Sequence, residues 1–102
     1  MLVAATTNQP DELVRHVKAL IQLATQEGRE YVTGMQLVAS ADNPSKFVFI
    51  ARYKSAEARL TFRKSEGFIK WDVLRKQSGA FLNETYEFFN DVGIGFRPLS
   101  TQ

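Results

Sequence analysis

The sequence has no cysteine and only one histidine. Without cysteine there is no disulfide framework, no thiolate metal site and no cysteine nucleophile. This agrees with a reducing compartment without requiring one. One histidine among scattered carboxylates makes no metal-ligand constellation. No segment approaches the roughly 18 apolar residues of a membrane span. The first residues lack the basic start and apolar stretch of a secretory signal. The expectation is a soluble, cytoplasmic protein with no membrane partner. A glycine-rich nucleotide loop is also missing, because Gly93-x-Gly95 follows a strand and opens no helix. There is little excess charge of one sign. The net charge is +2, too small to argue for a polyanionic partner.

The charge is nevertheless uneven. Arg52, Lys54, Arg59, Arg63, Lys64, Lys70, Arg75 and Lys76 face only Glu57, Glu66 and Asp72 in the same stretch. A solvated helix face with intrahelical ion pairs accounts for this. The alternatives are a patch that steers an anionic ligand or a nucleic-acid surface. The second lacks the aromatic signature of an RNA-binding sheet, so no nucleic-acid partner is expected.

What the chain has in quantity is apolar and aromatic residues. Of 102 residues, 44% are apolar and eight are phenylalanine. That suits one globular domain over residues 1–102 with a modest core. The phenylalanines suit a core, a pocket or an interface.

Met1–Thr6 reads as a short strand. Asn8 or its neighbour caps a helix, with Pro10 in the first turn and Asp11 and Glu12 at the positive end of the dipole. Leu13, Val17, Leu20, Ile21 and Ala24 recur at helical spacing, and Gly28 stops the helix. Tyr31–Ser40 is a second strand, whose imperfect alternation suggests that both faces are partly covered. Asp42–Ser45 is a turn by composition. Phe47–Tyr53 is the strongest strand, apolar on both sides and therefore central. Ser55 and Ser65 cap helices over 56–64 and 66–77. In the second of these, Phe68, Ile69, Trp71, Val73 and Leu74 wrap widely around the axis. Ser78-Gly79 ends it, 80–89 is a last strand, and Ile94 and Phe96 in the tail are expected to dock.

The order β-α-β-β-α-α-β predicts an α+β fold. It is a ferredoxin-like split βαβ with a four-stranded antiparallel sheet. Helices cover one face of such a sheet. Apolar residues on the other face need a second cover, and a second copy supplies it economically as a C2 homodimer.

The central residues resemble the antibiotic biosynthesis monooxygenase family, a dimeric α+β barrel superfamily. The resemblance spans Leu13 to Phe88. It rests on Asp42-Asn-Pro44, Phe47-Val-Phe-Ile, the aromatic at Tyr53, Ser55, Glu57-Ala58, Ser65 and Phe68. It implies the paired barrel. It also implies one of several activities: cofactor-free oxygenation of phenols or quinols, haem degradation, isomerisation, or none known. Three places often polar in the family are Ala51 (glutamate), Phe62 (histidine) and Gly67 (histidine) here, so a Glu–His mechanism is not expected. Where haem-degrading members resemble this pattern with an iron-binding histidine, Asp72 stands, so haem ligation is not expected either.

The residues left to carry chemistry are few. Trp71 on a pocket-lining helix can stack on a planar ligand and donate a hydrogen bond, or simply pack. Tyr53 and Tyr86, expected on neighbouring strands, can orient a phenol or donate to a developing oxyanion. Their alternative is partial burial with a wet hydroxyl. These three are the catalytic candidates. Arg52 and Arg97 could hold a phenolate or carboxylate. Phe62, Phe68, Asn83 and His16 complete the binding candidates, and Asn8 could edge the cavity. His16 is a general base or a boundary residue of the first helix. The expected function is cofactor-independent oxygenation of a small aromatic ligand, with no cofactor or metal. The alternative is a non-catalytic dimeric module that binds a small hydrophobic ligand or serves in assembly.

Overall fold

The computed structural model describes residues 1–90 and 92. Ile94, Phe96 and Arg97 lie outside the described residues, so their expected docking does too. The elements run β1 (Leu2–Thr6), α1 (Pro10–Glu27), β2 (Val32–Ala39), β3 (Lys46–Tyr53), α2 (Ala56–Arg63), α3 (Glu66–Ser78) and β4 (Leu82–Glu87). The sheet order is β2-β3-β1-β4 with every pair antiparallel. This is the ferredoxin-like α+β layout expected from the sequence, with β3 inside the sheet.

Local signals account for most boundaries. The Ser55 hydroxyl accepts from the Ala58 amide at 2.9 Å, and Ser65 accepts from Phe68 at 3.3 Å. Gly79 closes α3 in the left-handed conformation, at φ 69°, where glycine carries no Cβ penalty. Asn8 does not cap α1. Gln9 occupies that place without a side-chain bond, and Thr7 Oγ1 instead accepts from the Gln9 amide at 2.8 Å. Gly28 ends α1 as expected, at φ −114°, so a left-handed turn is not the reason for glycine. Space is: a Cβ there would lie 2.7 Å from Phe62 Cε1 and 3.1 Å from the Ala24 backbone.

β2 is an edge strand, and a register shift between Val32 and Gly34 changes the side-chain phase near its start. Beyond the shift Leu37 pairs with Phe49 and Val38 with Val48, so the strand carries apolar residues on both faces.

Directly paired residues share a face. One face therefore carries Val3, Ala5, Phe47, Phe49, Ala51, Tyr53 and Tyr86. It packs against Leu13, Val17, Leu20 and Ala24 of α1. The opposite face carries Leu2, Ala4, Val48 and Ile50, with Val38 beside them. No helix covers it. α3 is apolar on two sides. Phe68 and Trp71 face α1 and the sheet, while Ile69, Val73 and Leu74 are about half exposed.

Candidate functional site

A pocket opens between the helix-facing side of the sheet and the helices. Its floor is Val3 and Ala5 of β1 with Phe47 and Phe49 of β3, and Leu13, Val17 and Leu20 of α1 form one wall. Phe68, Trp71 and Arg75 project from α3 into the other wall, and Glu84 and Tyr86 enter from β4. Tyr53, Arg63, Met1, Leu37 and Phe81 complete the lining. The volume open to the centres of water-sized molecules is about 70 Å³. Since one water needs roughly 10–15 Å³ by that measure, the space takes several waters or a small planar group.

The polar wall is one connected cluster. Arg75 is 8% exposed. Its Nε donates to Asp72 Oδ1 at 2.8 Å and its Nη1 to Glu84 Oε1 at 2.6 Å. The guanidinium lies 5.4 Å from the Trp71 ring centre and 5.3 Å from that of Phe81. A charge this deep persists because two carboxylates and two ring faces replace its water. The Tyr86 hydroxyl donates to Glu84 Oε2, and Arg75 Nη2 approaches the same hydroxyl at 3.5 Å. Burial, reinforced by the bond to Glu84, pushes the Tyr86 phenol above its ordinary range. Burial also raises Tyr53, against the pull of Arg63 and Arg59. Both phenols are therefore neutral at neutral pH.

The structure brings four of the eight candidates together. Trp71, Tyr86, Tyr53 and Phe68 all line the pocket. Tyr53 and Tyr86 are not on adjacent strands, however, because β1 lies between β3 and β4. The Trp71 indole N–H is not free for a ligand: it donates to the His16 carbonyl at 2.7 Å, and only the ring surface that Arg75 does not cover is left for stacking.

The other four candidates stand elsewhere. Arg52 is exposed and pairs with Gly34 on the uncovered face of the sheet, one residue out of phase with Ala51 and Tyr53. Phe62 is 1% exposed in the core behind Phe68. Asn83 adopts a positive φ of 52° and donates its side-chain amide to Thr6 Oγ1 at 2.9 Å. It thereby shapes the β1–β4 junction. His16 is buried, not a boundary residue. Its ring meets Phe81 edge-on at 6.2 Å, and Nε2 lies 3.6 Å from Glu12 Oε2. Asn8 is exposed and is absent from the pocket lining.

Arg75 and Glu84 are the residues that sequence reasoning missed. Arg75 looked like one more member of the basic helix face, which Lys70–Glu66 and Lys76–Asp72 do form at 3.0 and 2.9 Å. Two spacings could have found them. Arg75 stands four residues after Trp71 and so shares its side of the helix. Glu84 stands two residues before Tyr86 and so shares its face of the strand.

A split βαβ sheet with one aromatic-walled pocket under its helices defines a small α+β ligand-site domain. The family model described as antibiotic biosynthesis monooxygenase matches residues 3–73. The chain belongs to that family. Solved structures agree in fold. A candidate antibiotic biosynthesis monooxygenase from Bacteroides thetaiotaomicron has a TM-score of 0.77 at 13% identity, over 94% of this chain and 92% of that one. Another from Nitrosomonas europaea has a TM-score of 0.69 at 17% identity, over 90% and 88%. SnoaB, a cofactor-independent oxygenase from Streptomyces nogalater, has a TM-score of 0.64 at 13% identity, over 91% and 94%. Likeness at these identities speaks for the fold alone. No curated protein matches this sequence. Among the described residues, no helix is long and apolar enough to cross a membrane.

Proposed function

We propose that this protein is a cytoplasmic, homodimeric, cofactor-independent monooxygenase of a small phenol- or quinol-type substrate. The observation that carries the reading is the pocket itself. It is an apolar, aromatic-walled space with one organised polar wall, Arg75–Glu84–Tyr86. Membership of the monooxygenase family supports it.

Phe68 and Trp71 pack against each other at 5.5 Å between ring centres and form one continuous aromatic wall. The substrate's ring lies along that wall, and the apolar floor excludes water. The Tyr86 hydroxyl donates a hydrogen bond to Glu84, so its oxygen can accept from a substrate hydroxyl while its own proton passes to the Glu84 carboxylate. Proton removal makes the substrate anion, an electron-rich species that reduces O2 directly in a desolvated site. For an anthrone-type substrate the balance closes without another reductant. The activated CH2 becomes C=O with one oxygen atom from O2, and its two hydrogens leave with the other oxygen as water. Arg75 is a positioning residue that holds Glu84 and Trp71.

The test is oxygen uptake by purified protein with quinols, anthrones and polyphenols. Uptake above the protein-free rate supports the reading. A second reading, a non-catalytic binding module, draws on Ala51 and Phe62. Both are fully buried and apolar where the family often places an acid–base pair. Saturable binding of the same compounds without uptake favours it.

The uncovered face bearing Leu2, Ala4, Val48 and Ile50 supports the dimer, since an apolar sheet face of this kind needs a partner layer. Light scattering at micromolar concentration is expected to give twice the chain mass. Ile50→Glu, which sets a charge in the middle of that face, is expected to give the monomer. A wild-type monomer contradicts the dimer.

A further inference from the structure

The charges that line the pocket are not equivalent. Arg75 is committed to Asp72 and Glu84, and Glu84 is committed to Arg75 and Tyr86. With Lys76 on the second oxygen of Asp72, two cations and two carboxylates sum to zero, and each is already paired. Arg63 is the third charged residue of the lining. No carboxylate among the described residues lies within ion-pair distance of it. Its guanidinium is 5.7 Å from the ring centre of Phe68, another lining residue. It sits at the last residue of α2, exposed toward solvent, and so at the mouth of the pocket and not in its depth. Arg59, one turn earlier, is likewise free of carboxylates among the described residues and lies 4.6 Å from the Phe88 ring centre.

We propose that Arg63 makes this a pocket for an aromatic anion, binding a carboxylate or other acidic substituent at the mouth while the ring stacks inside against Phe68 and Trp71. The inference rests on the reading of this pocket as an aromatic-ligand site. It replaces Arg52, which points from the other side of the sheet, as the anion-binding residue. A planar guanidinium suits a carboxylate because it can present two parallel donors. Stacked on Phe68, it is held in place before the ligand arrives. The basic run from Arg52 to Lys76 adds a field that steers anions toward the opening.

The test uses binding, not turnover. 1-Hydroxy-2-naphthoate, its methyl ester and 1-naphthol are titrated calorimetrically, with the fluorescence of the single tryptophan as a second readout. Wild type is expected to bind the carboxylate about five- to tenfold more tightly than the ester, and less so as salt rises. Arg63→Gln is expected to bind both alike, while Arg52→Gln keeps the preference. Equal wild-type affinities, a preference that survives Arg63→Gln, or no binding of any probe overturns the proposal. Charge preference without oxygen uptake would leave it standing and remove the oxygenase reading. Uptake with neutral substrates that is indifferent to Arg63→Gln would do the reverse.

Discussion

Phe62→Ala is expected to destabilise the protein by about 3–5 kcal/mol, the range for deleting a buried phenylalanine. Phe62 is 1% exposed and packs with Leu20 and Ala24 of α1. It also meets Phe68 edge-on at 5.5 Å and Tyr53 at 6.5 Å. Removing the ring opens a cavity bounded by backbone, since Gly28 already stands so close that a Cβ there would clash. The surroundings therefore have little room to collapse. Domains of this size have about 5–15 kcal/mol in total, so the variant is expected to be near unfolding at room temperature. Phe62→Leu keeps most of the volume and is expected to cost clearly less. Urea denaturation of the three proteins measures this. A loss below about 1 kcal/mol for the alanine variant would mean that Phe62 is not a core residue. It would then be free for the binding role that its place in the family suggests.

Arg75→Met is expected to have the largest electrostatic effect, a loss of about 3 kcal/mol or more, as when one partner of a buried ion pair is removed. Methionine fills the slot between the Trp71 and Phe81 rings, so packing is largely kept. Glu84 and Asp72, however, each lose a cation while about four-fifths covered. The double variant with Glu84→Gln is expected to recover part of the loss, because it discharges the orphaned carboxylate. The pH dependence has a definite sign. Burial pushes the Asp72 carboxyl up, but hydrogen bonds from Lys76 and Arg75 outweigh it and hold the group below its ordinary 3.8. A depressed carboxyl stabilises the fold above its unfolded value and ceases to do so as pH falls through the folded one. Wild type is therefore expected to lose stability below about pH 4, and Arg75→Met to show a shallower acid slope. Equal slopes would mean that the cluster is not tied to Asp72.

Much of the architecture was legible because it depends on local, periodic signals. Two serine caps, the stripe from Leu13 to Ala24 and the two-sided apolar strand at Phe47–Tyr53 set the elements. The order of the elements then set the sheet. In the strand at 32–39 the apolar residues on both faces were legible, whereas the bulge between Val32 and Gly34 was not, because no residue type announces that shift. The site was legible only on its apolar side. Trp71, Phe68 and the two tyrosines could be placed at the pocket because aromatic residues on the inward faces of known elements converge wherever sheet and helices meet. The polar wall was hidden in plain charge. Arg75 is one of eight basic residues in its stretch, and its burial depends on Glu84, nine positions away on another element. Strand parity alone sets Arg52 away from the pocket, since its neighbours Ala51 and Tyr53 face the helices and it cannot.

The central claim is that the pocket oxygenates its ligand without a cofactor. The most direct measurement is oxygen-isotope incorporation by chelator-treated protein with an anthrone or quinol substrate under 18O2, repeated with Tyr86→Phe. The account predicts one labelled oxygen in each product molecule for each O2 consumed, at a rate clearly reduced in the variant, which cannot accept or relay the substrate's proton. Product oxygen drawn from water, or turnover unchanged by Tyr86→Phe, would contradict it.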